Sequence, residues 1–68
     1  MKFDNAFLTK SGNIGLQFKD KGEILTVYKD GKGKLIVSEH ATIQQKGILV
    51  VKYGQMAHRY EKKAVVAA

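Results

Sequence analysis

The chain contains no cysteine, no proline and no tryptophan, and it has a single arginine, Arg59. Without cysteine there is no disulfide framework and no thiolate zinc site. Without proline, and with no linker-like stretch, nothing divides the 68 residues into separate units. That length is already short of the roughly 100–150 residues of an ordinary domain, so a multidomain enzyme is excluded. Long apolar runs are missing too. Ile48–Val51 is four residues and no run exceeds five, too short for a membrane-spanning helix. The opening residues MKFDNAF carry no apolar signal core, so the expectation is a cytoplasmic protein with no membrane partner. Having only one arginine argues against base-specific readout and against bidentate phosphate recognition.

What is present is ordinary in bulk and skewed in charge. Apolar residues make up 44% and charged residues 26%, as in other folded chains. Twelve Lys and Arg oppose six Asp and Glu, giving a net charge of +6. A chain of about 60 residues buries only about 60% of its unfolded surface, so its stability is marginal. Small domains commonly compensate with disulfides, metal or oligomerisation. Disulfides are impossible here and metal ligands are few, so a homo-oligomer is expected.

Glycines at 12, 22, 31, 33, 47 and 54 punctuate runs rich in Ile, Val, Leu, Thr, Phe and Tyr. Short strands with frequent turns predict an all-β fold. The expected architecture is a five- to six-stranded antiparallel meander closing into a barrel of OB or SH3 type. The clearest strand is Asn13–Lys19, where Ile14, Leu16 and Phe18 alternate with more polar neighbours. Glu23–Lys29, Lys34–Glu39 and Ile48–Tyr53 are apolar on both faces and read as central strands. Phe3–Thr9 is a weaker strand. Residues 55–61 alternate as a final strand, although Met56, Tyr60, Ala64 and Ala67 also form a helical stripe, so a short C-terminal helix is the alternative. The domain is expected over 1–61, with a flexible tail over 62–68.

Turn chemistry sets an expected register. Lys10-Ser11-Gly12 and Asp20-Lys21-Gly22 each fit a three-residue hairpin loop with glycine at positive φ. Leu8 then faces Ile14 and Ala6 faces Leu16. In the second hairpin Phe18 would face Ile24, Leu16 would face Thr26 and Ile14 would face Tyr28. Leu25, Val27 and Phe7 would then point outward. A two-residue loop would instead turn the third strand over.

Little in the sequence supports catalysis. Ser38-Glu39-His40 holds three triad-type residues, but on a strand Glu39 points away from the other two. His40 with Glu39 and His58 with Glu61 fall short of four tetrahedral ligands, so no metal, cofactor or enzymatic activity is expected. The glycine loop Asp30-Gly31-Lys32-Gly33-Lys34 lacks the spacing of a nucleotide-binding loop. It reads as a hairpin turn whose lysines could touch phosphates.

The basic excess carries the functional expectation. Lysines concentrate at turns and strand ends, with aromatics among them, and charges of one sign sum into a field that attracts polyanions without any motif. Stacking on aromatics with lysines along the phosphates is how five-stranded single-strand-binding barrels work. The expectation is therefore binding of single-stranded DNA or RNA with little sequence preference. Lys19, Lys29, Lys32, Lys34, Lys52 and Arg59 would contact phosphates, and Phe7, Tyr53 and Tyr60 would stack. In size, charge and β content the chain is similar to small single-strand-binding barrels of phages and to archaeal chromatin barrels, a likeness that covers no alignable motif. The alternative is a protein-binding module, such as a phage-type inhibitor or an adaptor, engaging a protein partner through a strand edge or basic surface.

Overall fold

The computed structural model describes residues 1–67, with side chains described for 1–60. Four strands come first: β1 (Lys2–Leu8), β2 (Ile14–Asp20), β3 (Glu23–Lys29) and β4 (Leu35–Val37). One helix follows, α1 (Ile43–Ala67). The strands form a single antiparallel sheet in the order β1-β2-β3-β4. The helix touches all four strands and crosses one face of the sheet.

The first hairpin folds as the turn residues dictate. Thr9 N donates to Asn13 O at 2.8 Å and Gly12 has φ +83°. Lys10, Ser11 and Gly12 are thus a three-residue loop with glycine in the left-handed region. Leu8 pairs with Ile14 and Ala6 with Leu16. A bulge at Asp4 shifts the register before Phe3 meets Phe18.

The second hairpin departs from expectation. Its loop has two residues, Lys21 and Gly22, closed by the Asp20–Glu23 pair. Both have positive φ, 54° and 82°, as a two-residue turn matched to strand twist requires. One residue fewer in the loop turns β3 over. Phe18 now pairs with Leu25 and Leu16 with Val27. Leu25 and Val27, expected outside, are fully buried, and Ile24 is exposed. The shorter loop gives a better core, because Leu and Val replace the mixed set Ile24, Thr26 and Tyr28 against β2.

The expected barrel is not formed. The sheet has four strands rather than five or six, and it is open. The two further strands expected at 48–53 and 55–61 are a single helix. Its start is specified by a reciprocal cap. Thr42 Oγ1 accepts from Gln45 N at 3.1 Å, and Gln45 Oε1 accepts from Thr42 N at 2.9 Å. Gln45 Nε2 also donates to Asp20 Oδ2 at 2.8 Å, which pins the helix start to the β2–β3 turn. Beyond the cap, Leu49, Tyr53 and Ala57 recur every four residues and are buried, the inward stripe of an amphipathic helix. Because this stripe covers the apolar side of the sheet, the sheet has no need to close on itself. The tail expected over 62–68 falls where side chains, and Ala68 altogether, lie outside the described residues.

The core lies between these two layers. It consists of Ile14, Leu16, Phe18, Leu25 and Val27 from the sheet, with Ala41, Leu49, Tyr53 and Ala57 from the other side. Tyr60 closes one end by stacking on Phe3, ring centroids 4.7 Å apart. The buried Tyr53 hydroxyl donates to Ile14 O at 2.8 Å, so this polar group costs little to bury. Leu49 is the fully buried link between helix and sheet. Leu49→Ala should lower unfolding stability by about 2–5 kcal/mol in urea titration, and a loss under 1 kcal/mol would contradict this packing.

Candidate nucleic-acid interface

Covering one face leaves the other bare. No described element lies over the opposite side of the sheet, and the ladder pairings specify what stands there. Alternation sends the residues between the core positions to this face. Phe7, Gly15, Tyr28 and Ile36 are paired in sequence across all four strands and form one row. Asn5, Gln17 and Thr26 form the next. Lys2, Lys19 and Ile24 form the third. Aromatics, hydrogen-bonding groups and lysines thus follow one another along the strands, with about 6.6 Å between rows.

The aromatic row is built around a missing side chain. A Cβ at Gly15 would overlap the Phe7 ring, so the tip of the ring covers the glycine. Tyr28 pairs with Gly15 from the other side. The two rings are therefore next-but-one neighbours, separated by only a glycine backbone. Ile36 extends the apolar row onto β4.

The lysine row has its own signature. Lys2 and Lys19 are directly paired, exposed and on the same face. Like charges set opposite one another cost stability, and a bound anion would relieve that cost. Lys21 continues the charge into the adjoining turn. At the far end, Asn13 Nδ2 donates to Asp30 O at 2.7 Å and to Lys29 O at 3.3 Å. These bonds hold the β1–β2 and β3–β4 turns together, so Lys10, Lys32 and Lys34 share one rim. Cations thus stand at both ends of the strands, with the rings between them.

The structure sorts the nine residues expected to form the site. Phe7 and Lys19 share the bare face. Lys32 and Lys34 lie in the β3–β4 turn at its rim. Their backbone amides are already engaged, each donating to Asp30 Oδ1 at 2.9 Å, so the glycine loop is a self-satisfied turn and not a phosphate cradle. Lys29 belongs to the helix side by its pairing with Leu35, and its ammonium lies 5.9 Å from the Tyr53 ring. Lys52 likewise lies on the helix side, 5.9 Å from the Phe18 ring. Arg59 is exposed on the helix. Tyr53 is 4% exposed and Tyr60 is stacked on Phe3, so neither offers a ring to the bare face.

Tyr28, Lys2, Asn5, Gln17 and Thr26 complete the face and lie outside the expected set of site residues. A three-residue second loop places Tyr28 in the core, and the two-residue loop brings it out. The usable signal is the pair Leu25 and Val27, more apolar than the alternating set they displace. Ser38 plays a structural part. Its hydroxyl accepts from Thr26 N at 2.7 Å and continues the strand pairing beyond β4.

No protein-family model, curated protein or solved structure matches this chain, so its reading rests on its own residues. Gly15→Ala should destabilise the protein by about 1–3 kcal/mol through overpacking against Phe7. In a Phe7→Ala background the same change should be nearly neutral. Equal costs in both backgrounds, measured as a double-mutant cycle, would show that the ring does not lie over the glycine.

Proposed function

We propose that this protein binds single-stranded nucleic acid on the bare face of its sheet, with little sequence preference. The supporting observation is the succession of rows on one uncovered surface: Phe7 and Tyr28, then Asn5, Gln17 and Thr26, then Lys2 and Lys19. Each row suits a different part of a strand. The rings stack bases, and stacking tolerates any base because every base has a π face. The amides and hydroxyl can pair with base edges that a single strand leaves open. The lysines take phosphates, and the net charge of +6 adds long-range attraction.

A single strand suits this face better than a duplex does. Stacking on Phe7 and Tyr28 needs unpaired bases, and an open sheet face presents no helix or ribbon to enter a major groove. Lysine, a point charge, holds phosphates without fixing their orientation. That combination favours sequence-tolerant binding. Of the residues expected outward, Leu25 and Val27 are buried and Phe7 alone stays on the bare face.

Fluorescence anisotropy with labelled single-stranded DNA, single-stranded RNA and duplex, at about 50 and 200 mM salt, tests the proposal. Single strands should bind more tightly than duplex, with affinity falling steeply as salt rises. Phe7→Ala or Tyr28→Ala should weaken binding by about 1–3 kcal/mol per base lost from the stack. Lys2→Glu with Lys19→Glu should lower the salt slope by about 1.4, from roughly 0.7 per single-strand phosphate contact. No binding at the lower salt, or duplex bound as tightly as single strand, would reject the proposal.

A further inference from the structure

A cleft opens on the helix side of the molecule, where the flank of α1 meets the end of β3 and the start of β4. Its volume is about 420 Å³, within the range of about 300–1,000 Å³ typical of small-molecule sites. Leu35 from the sheet and Val50, Tyr53, Gly54 and Ala57 from the helix line it, together with Lys29 and His58. Tyr53 and Ala57 are buried and form the floor, whereas Val50 is 42% exposed. Small residues keep the helix low here. Glycine is a poor residue for a helix interior, yet a Cβ at Gly54 would meet nothing within 4 Å. No clash therefore demands glycine at this position, and what the missing side chain leaves is room in the cleft.

The polar groups are few and of one kind. The Tyr53 hydroxyl donates to Ile14 O at 2.8 Å, so tyrosine gives the cleft its ring. Lys29 is an exposed residue, yet its ammonium lies 5.9 Å from the centre of that ring. The lysine is thus folded back over the cleft floor instead of reaching into water. His58 brings a ring nitrogen that donates in either tautomer. Among residues with described side chains, no carboxylate lines the cleft. Asp30, next to Lys29, is committed to its own turn, where Oδ1 accepts from Lys32 N and Lys34 N at 2.9 Å.

We propose that this cleft binds a small organic anion, with a compact apolar body and a single negatively charged head group. The body lies against Leu35, Val50 and the Tyr53 ring, and the head meets the Lys29 ammonium, with His58 donating from the helix side. Charge selects the head. The chain carries +6, and a cationic ligand would meet Lys29 with no counter-charge in the lining. The apolar lining selects the body, because an inorganic ion would leave Leu35, Val50 and the ring in water. Lysine is a point charge that imposes no bidentate geometry, so carboxylate, sulfonate and phosphate heads form one class here. The cleft opens on the side of the sheet away from Phe7, Tyr28, Lys2 and Lys19. Its occupancy does not depend on what the bare face binds.

Titration of the full chain with hydrocinnamate, followed by amide chemical shifts of isotope-labelled protein, tests the proposal. Hydrocinnamamide has the same body without the charge, and acetate has the charge without the body. Hydrocinnamate should give saturable shifts at Lys29, Leu35, Val50, Gly54 and Ala57, with a dissociation constant on the order of a millimolar, as suits so small a ligand. The neutral amide and acetate should each bind about fivefold more weakly or worse. Lys29→Gln should weaken hydrocinnamate about threefold and leave the neutral amide unchanged. Gly54→Leu should fill the cleft and weaken binding at least tenfold, while the melting temperature does not fall, since leucine is the better helix former. That variant separates a lost site from a lost fold. Shifts that do not saturate by about 50 mM hydrocinnamate would overturn the proposal. So would shifts confined to Lys2, Phe7 and Lys19 on the bare face, an amide that binds as tightly as the acid, or Gly54→Leu that binds like wild type.

Discussion

Everything in this small fold depends on one helix docking across one side of a four-stranded sheet. Leu49, Tyr53 and Ala57 supply the buried stripe of that helix. The described residues form two layers, helix and sheet, around one core. With the helix on one face, no described element covers the other. On that bare face, a glycine under a phenylalanine and two lysines set opposite one another do not improve stability.

The cost of these features is visible locally. Gly15 is a poor strand residue, rescued by the Phe7 ring that lies over it. Lys2 against Lys19 adds repulsion where an ion pair would have been easy to place. Lys21 occupies a left-handed conformation that asparagine or glycine would adopt more readily. Such departures from the locally best choice concentrate on the bare face and in its turns, whereas the core is conventionally apolar. That division is what a binding surface on a structural frame would produce.

The four strands are readable in the sequence. Glu23–Lys29 is placed to the residue, and the other three strands to within one or two at their ends, because alternation and glycine turns are local signals. The first hairpin register is legible because Lys10-Ser11-Gly12 folds as the three-residue loop that its glycine suggests. The second is not, since Asp20-Lys21-Gly22 fits a loop of either two or three residues, and the core decides between them. The helix reads as strand for a physical reason. Ile48–Val51 is β-branched and aliphatic, and Gly47 and Gly54 look like turn residues on either side of it. The contrary signal is the capping pattern Thr42-x-x-Gln45 and the fourfold spacing of Leu49, Tyr53 and Ala57. With that segment helical, Tyr53, Tyr60 and Lys52 fall on the helix side of the sheet. Tyr28 takes its place on the bare face through the shorter second loop.

The central claim is that the uncovered sheet face is the working surface. Amide chemical-shift mapping of isotope-labelled protein, titrated with a short oligothymidylate at low salt, tests it directly. Shifts are expected at Asn5, Phe7, Gly15, Gln17, Thr26 and Tyr28, with Leu49, Tyr53 and Ala57 unmoved. Shifts confined to the helix, or none at saturating oligonucleotide, would contradict the claim.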